Sequence, residues 1–141
     1  FLRRNGADVT RVRKLFRENA AEYKAKADAV SQAEIYRNAY AISICHSEGI
    51  ASPTVVGAQA ANELLDIRGV KASFVLTEYQ NKLFLSARSI DEVNVQVIME
   101  RMGGGGHLNI AGCQLENTSV EEGIIVLKRT LDKMIEEGEI S

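Results

Sequence analysis

Four consecutive glycines, Gly103 to Gly106, followed at once by His107, constrain this chain more than any other local feature. Glycine brings no side chain to a core and carries a high unfolded-state entropy, so the run weakens a fold unless something offsets it. On that ground the run is not read as a packing device. What glycine uniquely permits is close approach of backbone N–H groups to a ligand, often an anion cradled by amides. The imidazole of His107 can donate to a phosphate oxygen. Asn109 and the Ala111-Gly112 pair extend a surface of small residues. A flexible loop after a helix end would need only one glycine. The run is neither a dinucleotide fingerprint nor a phosphate loop. It lacks the G-x-G-x-x-G spacing, no Lys-Ser/Thr follows it, and it comes after a helix rather than before one.

The rest of the chain is read around this run. Residues 9–34 have Val9, Val12, Leu15, Phe16, Tyr23 and Val30 at roughly helical spacing, with Asp8 able to cap and no Gly or Pro inside. Asn38–Cys45 alternates Tyr40, Ile42 and Ile44 and predicts a strand. Ser52-Pro53 opens a helix running to about Arg68, with Ser as cap, Pro at the first position and Gly69 as stop. Ser73–Tyr79 and Lys82–Arg88 predict a hairpin around Gln80-Asn81. That register puts Phe74, Leu76, Leu83, Leu85 and Ala87 on one face, and Ser73, Ser86 and Arg88 on the other. Glu92–Met102 predicts a helix and Ile110–Leu115 a short strand. Ser119 with Glu122 fits a capping box before a last helix, whose buried stripe is Val120, Ile124, Leu127, Leu131 and Met134. The expected fold class is α/β: a small mixed β-sheet packed with helices, preceded by a long bridging helix.

Composition excludes several classes. The chain has 141 residues, 45% apolar and 26% charged, which is one ordinary globular domain. A formal net charge of −2 does not suit a strongly basic nucleic-acid binder. The charge is uneven: residues 1–26 hold eight Lys/Arg against three Asp/Glu, and residues 116–141 hold three against seven. The basic leading segment reads first as a solvated face docking on a neighbour. The most apolar stretch, Ala39–Cys45, is far short of the ~20 residues that span a bilayer. Phe1-Leu2-Arg3-Arg4 does not resemble a signal peptide and reads as the middle of a longer protein. Cys45 and Cys113 make no disulfide framework, so a cytoplasmic setting is expected. With four Tyr, four Phe and no Trp there is no aromatic ladder for stacking many bases.

Arg88, in Ser86-Ala87-Arg88-Ser89, is the second candidate. Its guanidinium suits bidentate phosphate recognition, with flanking hydroxyls as further donors. A lone Arg at a strand end is usually a surface residue, so its case rests on convergence with the glycine run. Metal chemistry fails a count. The two histidines, His46 and His107, stand far apart, and the aspartates at 8, 28, 66, 91 and 132 form no D-x-D and no adjacent Asp-His. Cys45 reads as a buried small hydrophobe.

Ser86-Ala87-Arg88-Ser89, then Asn94-Val95, then Gly103 through Gly112 resemble the DHH-associated domain of the DHH phosphoesterases. Gly57–Leu65 and Ala72–Leu76 make the chain most similar to the C-terminal part of the membrane-anchored cyclic-di-AMP phosphodiesterases of the GdpP/YybT type. The resemblance implies that residues 1–34 are the end of an upstream catalytic lobe with its bridging helix, and 35–141 the substrate-binding domain. It implies two manganese ions in that missing lobe, held by D-x-D and Asp-His-His motifs absent here, and no cofactor in this chain. A metal-activated hydroxide would there open cyclic-di-AMP to the linear dinucleotide pApA. Carried over, Gly103, Gly104, Gly105, Gly106 and His107 would hold a phosphate, Arg88 and Ser89 would add contacts, and Asn109 and Gly112 would lie nearby. No residue here would be catalytic. The partners implied are a cyclic dinucleotide or short oligonucleotide, the chain's own upstream lobe and a homodimer mate, with no membrane contact by this segment of an anchored parent. Two rivals stand beside this reading: a short-oligonucleotide exonuclease of the same superfamily, and a stand-alone binding module with no catalytic partner.

Overall fold

The computed structural model describes residues 20–91 and 93–141. In chain order these form α1 (Ala20–Ser31), β1 (Glu34–Tyr36), β2 (Tyr40–Cys45), α2 (Pro53–Leu64), β3 (Ala72–Tyr79), β4 (Lys82–Ser89), α3 (Val95–Arg101), β5 (Gly105–Gly106), β6 (Ile110–Glu116) and α4 (Val120–Glu136). One sheet runs in the order β1-β2-β3-β4-β6-β5. Within it β2 and β3 are parallel, and the other pairs are antiparallel. The chain is therefore an α/β fold with a mixed sheet, as the element pattern predicts.

The sheet buries two cores. Phe74, Leu76, Leu83, Leu85 and Ala87 pack with Ile98 and Met99 of α3 and with Leu127, Leu131 and Met134 of α4. On the opposite face, Ala41, Cys45 and Val75 pack with Ala29 of α1 and with Val56, Ala60 and Leu64 of α2. The β3–β4 register matches the expected one: Phe74 lies opposite Ala87, Leu76 opposite Leu85, and Ser73 opposite Arg88. Gln80 and Asn81 make the turn with φ of 52° and 65°, the left-handed pair that a tight hairpin needs. Ser119 and Glu122 form the reciprocal cap of α4. Gly123, which carries no expectation, lets α4 sit close on the sheet: a Cβ there would press on Leu83 and come within 3.0 Å of Leu76 Cδ2.

The expected boundaries need correction in three places. Asp8 and the first half of the 9–34 helix lie outside the described residues, and at its other end the helix stops at Ser31. Glu34–Tyr36 is instead a strand paired with β2. Arg37 and Asn38 adopt φ of 52° and 63°, a second tight turn, so Asn38 is a turn residue and not a strand residue. Helical spacing hid this, because the hairpin is set by turn geometry and by long-range anchors. Tyr36 Oη donates to Asp132 at 2.7 Å, Arg37 Nε pairs with Asp132 at 2.8 Å, and Lys128 Nζ pairs with Glu34 at 2.9 Å. The second helix ends at Leu64, short of Arg68, and Ser52 caps it by position without a side-chain hydrogen bond. The third begins at Val95, where Asn94 accepts from the N–H groups of Gln96 and Val97.

These anchors carry a pH signature. The Tyr36 hydroxyl and the Arg37 guanidinium hold the Asp132 carboxyl below the usual carboxylate range, and Arg101 does the same for Glu137. A carboxyl depressed in the folded state contributes stability above its unfolded value of roughly 4 and loses it as pH falls through the folded value. The melting temperature therefore drops as pH falls below about 4, and the drop is shallower in Asp132→Asn, which calorimetry across pH ~2–7 reads directly. Both groups are well exposed, so solvent screening keeps the effect small.

Candidate anion-binding site

The glycine run divides into residues with different physical reasons. Gly103 has φ of 89° and ends α3: its N–H donates to Glu100 O at 3.1 Å, and Gly104 N–H donates to Met99 O at 2.8 Å. That pair of bonds is the left-handed helix stop for which glycine is best suited. Gly104 and Gly106 are packing residues, which corrects the expectation that the run is not a packing device. A Cβ on Gly104 would collide with the Gly112 carbonyl and lie 2.7 Å from Cys113 Cα. A Cβ on Gly106, at φ of 143°, would lie 2.5 Å from Ala111 Cα. The glycines thus bring two backbones together, and the neighbour is the chain's own strand β6. Gly105 differs: its φ is not positive and a Cβ there meets nothing within 4 Å.

Pairing then places the candidate side chains. Gly105 lies opposite Gly112 and Gly106 opposite Ala111, and His107 N–H donates to Ile110 O at 2.7 Å, closing a hairpin over Leu108-Asn109. Arg88 lies opposite Ile110, and Ser86 opposite Gly112. Directly paired residues of an antiparallel ladder share a face. Arg88, Ile110 and His107 therefore form one cross-strand row, and Ser86, Gly112 and Gly105 form the next. Ala87, Ala111 and Cys113 alternate with them into the core under α3 and α4, so the two rows face the other way. Ile110 on this face is 55% exposed, and His107 is exposed. Because the His107–Ile110 pair is hydrogen-bonded, ladder alternation turns the N–H of Gly106 outward from the sheet edge, beside His107.

Arg88 supplies the charge. It is half-buried, Nη1 donates to Ala87 O at 2.8 Å, and burial pushes its pKa below the usual guanidinium value while leaving it a cation. None of the ion pairs among the described residues includes it. A partly desolvated guanidinium with no carboxylate partner among the described residues and an imidazole belong to one cross-strand row, and an outward backbone N–H lies at the sheet edge beside the imidazole. That arrangement can bind an anion with three kinds of donor.

Sequence and structure part over two candidates. Ser89 turns to the opposite face, is 6% exposed, and donates to Val93 O at 2.7 Å. Asn109 Nδ2 donates to Ser89 Oγ at 2.9 Å. Both are occupied within the fold, behind the row rather than on it. Ser86 and Ile110 belong to the two rows but escaped the candidate set, although the hairpin register already put Ser86 beside Arg88. His46 sits at the other end of the sheet, lining a cleft of about 330 Å³ with Glu78, Ser119 and Glu121. Burial raises the Cys45 thiol and pushes that of Cys113 to about 11, which suits packing and not reactivity. Among the described residues, no group of three or more His, Cys, Asp or Glu is placed to hold a metal ion, and no helix is long and apolar enough to cross a membrane.

Residues 37–137 match the DHHA1 domain. The chain is 42% identical over 123 residues to the cyclic-di-AMP phosphodiesterase PdeA of Listeria monocytogenes, covering 86% of this chain and 19% of that protein. It spans about a fifth of the length of the cyclic-di-AMP phosphodiesterases it matches. Among solved structures, an exopolyphosphatase-related protein from Bacteroides fragilis superposes with a TM-score of 0.71 at 22% identity, over 80% of this chain and 34% of that one. RecJ from Thermus thermophilus, solved with Mn²⁺, gives a TM-score of 0.59 at 18% identity, over 94% of this chain and 20% of that one. At these identities the two structures show a shared fold.

Proposed function

This chain belongs to the DHHA1 domain family, and from that premise we propose that it is the substrate-holding half of a phosphodiesterase that hydrolyses cyclic-di-AMP to pApA. The observation that carries the reading is the Arg88–Ile110–His107 row: a half-buried cation with no carboxylate partner among the described residues, on the same face as a bare Gly105–Gly112 pair and an exposed imidazole. Homologues at about 40% identity are cyclic-di-AMP phosphodiesterases, which supports a phosphodiester ligand over an unrelated anion. In this reading Arg88 and His107 neutralise and orient the phosphate, and the outward Gly106 N–H adds a fixed donor. The bare backbone at Gly105, where a Cβ would meet nothing within 4 Å, leaves room for the ligand to approach, whereas Gly112 is bare because a Cβ there would lie 2.6 Å from the Leu85 carbonyl of β4. Such donors stabilise charge at the phosphate without themselves transferring it.

Manganese, which the family implies, does not fit the described residues, because they contain no ligand set for it. No step through a metal is assigned to this chain, and hydrolysis is assigned to a separate metal-holding lobe. The parent protein is proposed to work on the cytoplasmic side of a membrane that anchors it, with the upstream lobe and a second copy as partners. The test is a paired assay on this chain. It binds pApA at millimolar concentration and, supplied with Mn²⁺, does not hydrolyse cyclic-di-AMP. Turnover by the pure chain would overturn the division of labour, and absence of any pApA binding would overturn the substrate-holding role.

A further inference from the structure

We infer that Ser89 and Asn109 are positioning residues, which act by fixing the turn that carries His107 and do not touch the ligand. The inference rests on the substrate-holding reading above. Asn109 Nδ2 donates to Ser89 Oγ at 2.9 Å, and Ser89 Oγ donates on to Val93 O at 2.7 Å. In the backbone, Ser89 N–H donates to Asn109 O at 3.1 Å and Val95 N–H donates to Leu108 O at 2.9 Å. Together these bonds fasten Leu108-Asn109, the tip of the β5–β6 hairpin, to the last residue of β4 and the first residue of α3. β5 is two residues of glycine on the sheet edge and has no side chain of its own to hold the hairpin. Beyond its own N–H bond to Ile110 O, position 107 depends on what grips residues 108 and 109. Ser89 has no freedom to reach a ligand: the residue is 6% exposed, faces away from Arg88, and its hydroxyl already has an acceptor and a donor. The same strand end thus serves two purposes, with Arg88 toward the ligand and Ser89 toward the hairpin behind it.

A double-mutant cycle tests this on the full 141-residue chain, with pApA as probe and affinity read by NMR titration. His107→Ala weakens pApA binding. Asn109→Ala alone weakens it about three- to tenfold, the scale of one lost hydrogen bond. In the His107→Ala background Asn109→Ala adds nothing further, because its effect passes through the imidazole. Ser89→Ala behaves as Asn109→Ala does, and Ser89→Thr, which keeps the hydroxyl, restores binding. Losses that add in the double variant would show direct ligand contact by Asn109 and overturn the inference. An unchanged affinity in Asn109→Ala would overturn it as well. If His107→Ala itself leaves pApA affinity unchanged, the substrate-holding reading falls, and that result is distinct from additivity. Should Asn109→Ala fail to fold, Ser89→Thr against Ser89→Ala decides the same question.

Discussion

Arg88→Met lowers pApA affinity by roughly 10- to 100-fold, the range for hydrogen bonds to a charged group. The melting temperature stays within a few degrees of the parent chain. Both halves of that result follow from the surroundings of Arg88. Among the described residues its hydrogen-bond acceptor is the neighbouring Ala87 carbonyl, so removing it strands no buried carboxylate. Replacing a partly desolvated cation by an apolar chain of similar length also removes an uncompensated desolvation cost. A residue whose removal costs binding but little stability is placed for a ligand. Arg88→Lys recovers only part of the affinity, because an ammonium cannot make the two-point contact of a guanidinium. Isothermal titration with pApA, paired with differential scanning calorimetry on the same samples, reads both quantities. A large fall in melting temperature with unchanged affinity would mean that Arg88 is structural.

Neighbouring glycines should behave in opposite ways. Gly104→Ala destabilises the fold by about 1–3 kcal/mol, since its Cβ would be forced against the backbone of β6. For a chain of this size that is a fall in melting temperature of roughly 4–12 °C. Gly106→Ala does the same and adds the strain of a positive φ. Gly105→Ala keeps or slightly raises the melting temperature, because the position has room, an ordinary φ, and less chain entropy to lose. Its effect falls on pApA affinity instead. Thermal scans of the three variants separate packing from ligand approach within a single run of residues.

Much of the architecture was legible because its signals are local. Gln80-Asn81 between two alternating segments fixed the β3–β4 register, and with it the shared face of Ser86 and Arg88. Ser119 and Glu122 marked the start of α4. Glu34–Tyr36 leaves no sequence signal because a three-residue strand has too few positions to show a period, and its anchors, Asp132 and Lys128, lie nearly a hundred residues away. The glycine run marks a place of close backbone approach. Spacing does not say what approaches: Gly104 and Gly106 meet β6, a fact set by the pairing of Gly105 with Gly112. Ser89 and Asn109 looked like further donors for the same reason. Residue type shows that a side chain can donate, and only the fold shows that Val93 and Ser89 already accept.

In the proposed function the ligand's phosphate sits on the Arg88–Ile110–His107 row. Backbone and Arg side-chain NMR shifts of this chain, recorded while pApA is added, test it most directly. The largest changes are expected at Gly105, Gly106, His107 and Gly112 and at the Arg88 guanidinium, all of them lost in Arg88→Met. Changes centred instead on His46, Glu78 and Glu121 at the far end of the sheet, or surviving intact in Arg88→Met, would contradict it.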